Sequence, residues 1–284
     1  MSRMVYLNGS YVPEHEAKVS VFDRGFLFAD GVYEVTTVVQ GRLLDFPGHL
    51  ARLHRSLAEL ALPDPLSDTE LETIHRELIR RNQLDEGLIY LQITRGPAER
   101  DFAFPTVPQP TVVLFTQNRA VLETPAAEQG LKIITVPDPR WTRCDIKTVQ
   151  LIGPSLCKMM AKKAGKDDAW LVLEDFITEG TSNNAYIINE QGQIITRQIS
   201  NHILAGITRA AALGYAQNHG LEVIERPFSV AEARAAREAF ITSATTLVTP
   251  VVEIDGHPIG SGQPGPITQK LRALYIQAAL QNAL

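Results

Sequence analysis

One short segment of the chain contains the residue types that amine chemistry requires. It is RWTRCDIK, residues 140–147, and it places Lys147 in an irregular loop beside Arg140 and Arg143. A lysine attacks a carbonyl carbon when partial desolvation or a neighbouring cation favours loss of its proton. Taken alone, the loop is equally typical of a solvated surface lysine. A second segment about thirty residues later, ITEGTSNN (177–184), contains Glu179, and the two segments taken together favour chemistry.

The elements that must position these residues follow local sequence signals. Asn8-Gly9 and Gln40-Gly41 each separate two apolar runs, which predicts two-residue hairpin turns. From Pro47 the leucines recur every three or four residues, as in an amphipathic helix. Ser67 and Glu70 form the pattern of a capping box at the start of a second helix. With a strand-rich second half, these signals predict an α+β fold with largely antiparallel strands.

Composition argues against several classes of partner. The 284 residues are 44% hydrophobic and 21% charged, an ordinary globular balance, and the net charge is −5. An acidic chain is a poor match for nucleic acid or an anionic membrane surface. No apolar run approaches the roughly 18 residues of a spanning helix, and the first residues lack a signal-peptide core, so we expect a cytoplasmic protein. The seven histidines and two cysteines show no metal-ligand spacing, so no metal is expected.

Seven segments in the same order resemble the fold-type IV (class IV) pyridoxal-phosphate enzymes. The two described above are accompanied by FDRGFLFADGVYEV, HLARLHRSLAEL, YLQITRG, ILAGITR and ITSATTLVTPVVEIDG. They cover nearly the whole chain. Within this family of branched-chain and D-amino-acid aminotransferases, they are most similar to D-amino-acid aminotransferase. The resemblance implies a two-domain α+β fold, with a smaller N-terminal α/β domain (1–119) and a larger, strand-rich, cofactor-binding C-terminal domain (120–284). The polar stretch 118–129 is the predicted linker.

The resemblance implies pyridoxal 5'-phosphate as cofactor and names the residues that hold it. Lys147 matches the lysine that forms the Schiff base, and Glu179 matches the carboxylate that keeps the pyridine nitrogen protonated. A helix that begins near Gly206 suits the phosphate, because backbone N–H groups at a helix N-terminus bind anions. Arg52 matches the phosphate-binding arginine, with a surface ion pair as the alternative. The remaining residues expected at the cofactor are Thr181, Ser182, Asn183, Leu204, Ile207, Thr208, Ser243, Ala244 and Thr245.

The expected substrate pocket departs from the family pattern at one position. The residues that the resemblance places there are Tyr33, Val35, Tyr90, Arg100 and Phe102. In D-amino-acid aminotransferases a tyrosine, an arginine and a histidine hold the substrate α-carboxylate, and Phe102 occupies the place of the histidine. Phenylalanine cannot donate a hydrogen bond, whereas Arg100 remains a good carboxylate clamp. We therefore expect carboxylate binding to be weakened and not abolished.

These observations predict an aminotransferase that moves the amino group of a D-amino acid such as D-alanine to a 2-oxo acid such as 2-oxoglutarate. The cofactor would alternate between its pyridoxal and pyridoxamine forms, and the family implies a homodimer. Three enzymes of the same fold remain as alternatives: an (R)-selective amine transaminase, a branched-chain aminotransferase and an aminodeoxychorismate lyase. A non-catalytic binding protein is a further alternative, which the presence of Lys147, Glu179 and Arg52 disfavours.

Overall fold

The computed structural model describes residues 2–284, and they form two compact units. The first unit comprises the chain up to Val121 together with two later segments, Ile146–Gln150 and Asn282–Leu284. The second unit comprises Leu122–Asp145 and Leu151–Gln281. The chain therefore returns to the first unit at Ile146–Gln150, and this short segment carries Lys147.

The first unit contains six strands and three helices among the described residues. Their bounds are β1 (Met4–Leu7), β2 (Ser10–Pro13), α1 (Arg24–Phe28), β3 (Gly31–Val39), β4 (Arg42–Leu43), α2 (Phe46–Glu59), α3 (Asp68–Asn82), β5 (Glu86–Thr94) and β6 (Thr111–Asn118). The strands form one antiparallel sheet in the order β2-β1-β6-β5-β3-β4. Helix α2 packs on β3, and α3 packs on β1 and β6. Leucines of both helices enclose the core with residues of β3 and β5.

The local signals in the first unit are confirmed. Asn8 and Gly9 both have positive φ between paired Leu7 and Ser10, as a type I′ turn requires, and Gln40 and Gly41 do the same between β3 and β4. The side chain of Ser67 accepts a bond from the backbone N–H of Glu70, and the Glu70 carboxylate accepts one from that of Ser67, which completes the capping box of α3.

The second unit contains nine strands and five helices among the described residues. Their bounds are α4 (Pro125–Gln129), β7 (Leu131–Pro137), α5 (Ile152–Lys163), β8 (Asp168–Leu173), β9 (Phe176–Gly180), β10 (Asn184–Ile188), β11 (Ile194–Thr196), α6 (Ile207–Asn218), β12 (Val223–Glu225), α7 (Val230–Arg234), β13 (Glu238–Ser243), β14 (Leu247–Ile254), β15 (His257–Pro258) and α8 (Pro266–Gln281). The sheet order is β12-β11-β10-β13-β14-β7-β8-β9, with β15 paired to β14.

This larger sheet is mixed. Strand β7 is parallel to both β8 and β14, and β11 is parallel to β12, whereas the central pairs β10-β13 and β13-β14 are antiparallel. Helix α6 packs against β13, α5 against β8 and α8 against β14. The α+β class with two units is confirmed, and most strand pairs are antiparallel as expected. No helix within residues 2–284 is both long and apolar enough to cross a membrane.

Candidate active site

Lys147 lies on the first unit, beside the start of β3. Its carbonyl oxygen accepts a bond from the backbone N–H of Tyr33 (3.0 Å), and the following residue, Thr148, forms an isolated bridge with Val32. The backbone N–H of Lys147 donates to the hydroxyl of Ser56 (3.4 Å). The Nζ atom lies 4.0 Å from the ring centroid of Tyr33. The segment is thus held against β3 by an isolated bridge. The amine lies over an aromatic face, which attracts a cation.

Tyr33 belongs to an aromatic stack that also contains Tyr90. Their ring centroids are 5.5 Å apart, and Tyr90 stacks in turn on Phe115 at 4.9 Å. Val35 lies directly opposite Tyr90 in the β3-β5 register. Burial, with a smaller effect of Tyr33, raises the pKa of Tyr90, so its phenol stays protonated and donates to Oε1 of Gln92 (2.8 Å). Three predicted pocket residues, Tyr33, Val35 and Tyr90, are therefore brought together.

The other two predicted pocket residues lie in the loop between β5 and β6. The guanidinium carbon of Arg100 is 5.5 Å from the ring centroid of Phe28 and 5.9 Å from that of Phe102. The Phe28 and Phe102 rings meet edge to face at 5.7 Å, and Phe102 is 80% exposed. Arg100 and Phe102 thus form a group of their own around Phe28.

Arg52 is buried in an ion pair, which excludes the surface position considered from the sequence. Its Nε and Nη2 atoms donate to the two carboxylate oxygens of Glu34, at 2.8 and 2.7 Å. Nδ1 of His49 lies 2.7 Å from the same carboxylate. Burial alone would raise the pKa of Glu34, but Arg52 and His49 outweigh it and hold that pKa well below its ordinary value. Glu34 and His49 were not identified from the sequence.

Glu179 is buried at the end of β9 in the second unit. Its carboxylate accepts bonds from Nη1 of Arg140, from Nδ2 of Asn184 (2.9 Å) and from the backbone N–H of Leu204 (3.2 Å to each oxygen). Burial raises the pKa of Glu179, while Arg140 and the Leu204 N–H act in the opposite direction. The result is a carboxylate with fixed orientation and an increased affinity for a proton.

Arg140 and Arg143 were considered as cations beside Lys147, and the structure pairs both with carboxylates. Arg140 donates from Nε and Nη2 to Asp138 (2.9 and 2.7 Å) in addition to its bond with Glu179. Arg143 donates to both oxygens of Asp145 (3.0 and 3.1 Å). Arg140 therefore lies between the carboxylates of Asp138 and Glu179, and sequence proximity did not suggest Glu179 as a partner.

Asn184, another residue missed from the sequence, connects the Glu179 site with the start of α6. The same amide nitrogen that donates to Glu179 also donates to the carbonyl of Leu204 (2.9 Å). Gly206 is the N-cap of α6, and a Cβ added there would lie 2.1 Å from Oδ1 of Asn184. A side chain at this position would displace Asn184. Ile207 and the buried Thr208 then begin the helix, so Asn184 connects Glu179 with Leu204 and lies against the N-cap of α6.

The other residues predicted at the cofactor, 181–183 and 243–245, lie in two turns. Ser243 ends β13, and its hydroxyl lies 3.1 Å from that of Thr245 and 2.8 Å from that of Thr246, around Ala244. In the other turn, Thr181 and Asn183 both bond to Asp168 (2.6 and 2.8 Å), and Ser182 between them is exposed. The 181–183 side chains thus hold the turn that follows Glu179.

Comparisons with known proteins identify the family of the chain. The model of the family "Amino-transferase class IV" matches residues 31–254. The chain is 40% identical to the D-alanine aminotransferase of Staphylococcus aureus (strain MSSA476), over 94% of this chain and 95% of that protein. It is 39% identical to that of Bacillus licheniformis, over 99% and 96%.

A solved branched-chain aminotransferase, that of the archaeon Thermoproteus uzoniensis with norvaline, superposes with a TM-score of 0.91 at 26% identity. That match covers 99% of this chain and 96% of the other. The family model spans most of the chain, and the two relatives match it almost from end to end. The chain therefore belongs to the class IV aminotransferases, which depend on pyridoxal phosphate.

Proposed function

We propose that this protein is a pyridoxal-phosphate aminotransferase that moves the amino group of a D-amino acid, such as D-alanine, to a 2-oxo acid, such as 2-oxoglutarate. The choice of a D-amino acid as donor rests on sequence identity to two kinds of aminotransferase. The chain is 40% identical to a D-alanine aminotransferase and 26% identical to a branched-chain aminotransferase, each over more than nine-tenths of its length. The nearly superposable fold of the branched-chain enzyme keeps an L-amino-acid donor as the second candidate.

The described side chains fit this cofactor. A pyridine nitrogen needs a buried acid, which Glu179 supplies, and a phosphate needs donors, which the first turn of α6 supplies. Gly206 leaves space at that turn where a Cβ would collide with Asn184. We therefore infer that Glu179, Leu204, residues 206–208 and 243–245, and Arg52 hold the cofactor. Thr181, Ser182 and Asn183 would support Glu179 through the turn at Asp168.

Lys147 is the proposed catalytic base and the residue to which the cofactor attaches. When bound, the cofactor withdraws electrons from the substrate Cα and so makes its proton removable. The backbone of Lys147 is fixed at both its N–H and its carbonyl group, so the side chain starts from a defined point. Its Nζ can then accept the Cα proton and return it, because an amine held in one place acts as base and acid in turn. Tyr33 limits where that amine lies.

Glu179 has the proposed role of keeping the pyridine nitrogen protonated. Three donors fix its carboxylate, so it cannot rotate away from a partner. Because burial raises the pKa of Glu179, its carboxylate is a stronger hydrogen-bond acceptor for the protonated ring nitrogen than a solvated glutamate would be. Arg140 limits this effect and keeps the carboxylate negative enough to attract the protonated ring.

Substrate binding is proposed to rely on Arg100 for the α-carboxylate and on Tyr33, Val35 and Tyr90 for the pocket wall. Phe102 stands where a histidine donor is expected, and this favours partial acceptance of (R)-amines that have no carboxylate. An (R)-selective amine transaminase is therefore a specific alternative. Arg100 disfavours it, because a guanidinium has no partner on such an amine.

We also propose that the protein is a homodimer and that it is cytoplasmic. Within each chain the proposed domains are residues 1–119 and 120–284. A second copy is supported by exposed apolar side chains in each unit. In the first unit Phe26, Phe102 and Val107 are more than 70% exposed, and in the second the helix α5 exposes Ile152 and Leu156. The free thiols of Cys144 and Cys157 suit a reducing compartment. Sedimentation at several concentrations tests the dimer, and a monomer at every concentration would contradict it.

A half-reaction screen tests the function. Purified protein loaded with pyridoxal phosphate is mixed separately with D- and L-amino acids and with (R)- and (S)-amines, and the cofactor absorbance is followed. We expect D-alanine to convert the pyridoxal form to the pyridoxamine form fastest, and 2-oxoglutarate to reverse it. Faster reaction with L-leucine would favour a branched-chain enzyme. Repeated turnover that releases pyruvate from aminodeoxychorismate without an acceptor would favour a lyase.

A further inference from the structure

The loop that carries Arg100 and Phe102 has no regular structure of its own. It joins β5 to β6 through residues 95–110, and its backbone is anchored at the start of α1. The N–H of Arg24 donates to the carbonyl of Gly96 (2.9 Å), and the N–H of Ala98 donates to the carbonyl of Phe22 (3.1 Å). Beyond Ala98 the loop is contacted by side chains from neighbouring elements of the same unit.

The side chain of Arg24 reaches into this loop. It is buried, and its Nη1 donates to the carbonyl oxygens of Asp101 (2.6 Å) and Ala103 (3.3 Å). These are the residues immediately before and after Phe102. One guanidinium nitrogen thus holds the backbone on both sides of the position where the family has a histidine.

A second buried arginine braces the first through a shared carboxylate. Oδ2 of Asp30 accepts from Nε of Arg24 (2.7 Å) and from Nε of Arg95 (2.8 Å). The other donors of Arg95 bond to the carbonyls of Leu60 (2.7 Å) and Ala61 (3.0 Å) after helix α2. Two cations share one carboxylate, and each also donates to backbone carbonyls. The arrangement orients Arg24 from the end opposite to the loop.

Aromatic rings complete the connection between Arg24 and the pocket residues. The guanidinium carbon of Arg24 lies 4.5 Å from the centroid of Phe28. The same Phe28 ring contacts Phe102 edge to face and lies beneath Arg100. A shift of Arg24 therefore displaces both the backbone at Phe102 and the ring on which Arg100 rests.

We propose that Arg24 is a positioning residue that fixes the 100–102 loop and thereby sets the preference for donors with a carboxylate. The inference rests on the proposed function, in which Arg100 binds that carboxylate. Lysine cannot replace this arginine, because its compact ammonium cannot span Asp30 and two carbonyl groups at once. The role differs from a purely structural one, because its loss should alter discrimination between donors more than it alters the fold.

The test compares Arg24→Lys with Arg3→Lys. Arg3 is the matched control, because it also joins a backbone carbonyl, that of Thr116 (2.9 Å), to a carboxylate, that of Glu14 (2.9 Å). Steady-state kinetics are measured with D-alanine and with (R)-1-phenylethylamine. In Arg24→Lys the KM for D-alanine should rise by about tenfold to a hundredfold, as a misplaced binding group predicts. The kcat values for both donors and the KM for the amine should change by less than about threefold. Arg3→Lys should match the wild type in all four values.

Trypsin cleavage after Arg100, located by mass spectrometry, provides a readout that does not require activity. The rate in the cofactor-bound protein should increase by about fivefold or more in Arg24→Lys and not in Arg3→Lys, because the loop opens more often. Equal loss of kcat/KM for both donors, or unchanged cleavage, would refute the inference. If the wild type transaminates neither donor, the proposed function is wrong, and the cleavage rates still decide whether Arg24 holds the loop.

Discussion

Arg52 and Glu34 form a buried ion pair. Variants of this pair can separate two roles of Arg52, which are balancing the charge of Glu34 and binding the phosphate of the cofactor. Both carboxylate oxygens of Glu34 bond to the guanidinium, and His49 adds a third contact to the same group. Arg52→Ala therefore leaves Glu34 buried without its main partner. Removal of one member of a buried pair costs about 3–5 kcal/mol in the free energy of unfolding. Urea unfolding of the cofactor-free protein should show this loss.

The double variant Glu34→Gln/Arg52→Ala removes the uncompensated charge. We expect its free energy of unfolding to return most of the way to that of the wild type, because His49 can still bond to the amide. The affinity for the cofactor should not return. A charge-assisted bond to a phosphate contributes about 1.5–3 kcal/mol, or about tenfold to a hundredfold in the dissociation constant. Titration with pyridoxal phosphate measures this. Recovered stability together with a wild-type dissociation constant would show that Arg52 only balances Glu34.

Four further changes test other parts of the site and the fold. Borohydride reduction should attach the cofactor irreversibly to Lys147, as peptide mass spectrometry would show, and a label on another lysine would contradict the assignment. Glu179→Gln should keep the cofactor bound but lose most transamination, because a neutral amide no longer holds the ring nitrogen protonated. Glu190→Gln, at an exposed turn of the same unit, is the control, and equal activity of the two variants would count against the role. Phe102→His restores a donor, so the kcat/KM for D-alanine relative to (R)-1-phenylethylamine should rise about tenfold; an unchanged ratio would remove residue 102 from the carboxylate site. Burial lowers the pKa of His75 to about 4, whereas a histidine in the unfolded chain titrates near 6.5. The stabilisation by neutral His75 is therefore complete above about pH 6.5 and is lost as the pH falls toward 4. His75→Phe should flatten the pH dependence of urea unfolding in that window, and a curve with the wild-type slope would assign the acid sensitivity to other groups.

The local elements were predictable because their causes lie within a few residues. The Asn8-Gly9 turn depends on positive φ at two adjacent residues, and the capping box depends on Ser67 and Glu70 three positions apart. The helix after Pro47 depends on a leucine spacing that one face of a helix must have. The return of the chain to the first unit at Ile146–Gln150 has no such signal, because backbone bonds to β3 and Ser56 hold this segment.

The partners of the site residues were harder to predict than the residues themselves. Arg140 was interpreted from its neighbour in the chain, Lys147, but its side chain bonds to Glu179, which is distant in sequence. Asn184 was overlooked because an asparagine after a turn has many possible roles. The pairing of Glu34 could have been predicted. It is a charged residue within the apolar run GVYEVTTVV, and a buried carboxylate needs a cation beside it.

Glu34 and Glu179 show how the pairing with an arginine decides what a buried acid can do. Each is buried and each is paired with an arginine, yet their pKa values shift in opposite directions. Glu34 receives two bonds from Arg52 and one from His49, which outweigh burial, so it stays ionised and fixes the guanidinium. Glu179 also accepts bonds from Asn184 and from the Leu204 N–H, but it receives only one bond from an arginine, and that arginine is shared with Asp138. Burial therefore dominates, and the affinity of Glu179 for a proton increases. Groups whose environments move their pKa values apart are suited to different tasks. The first acid is therefore suited to orienting a phosphate-binding arginine, and the second to sharing a proton with a ring nitrogen.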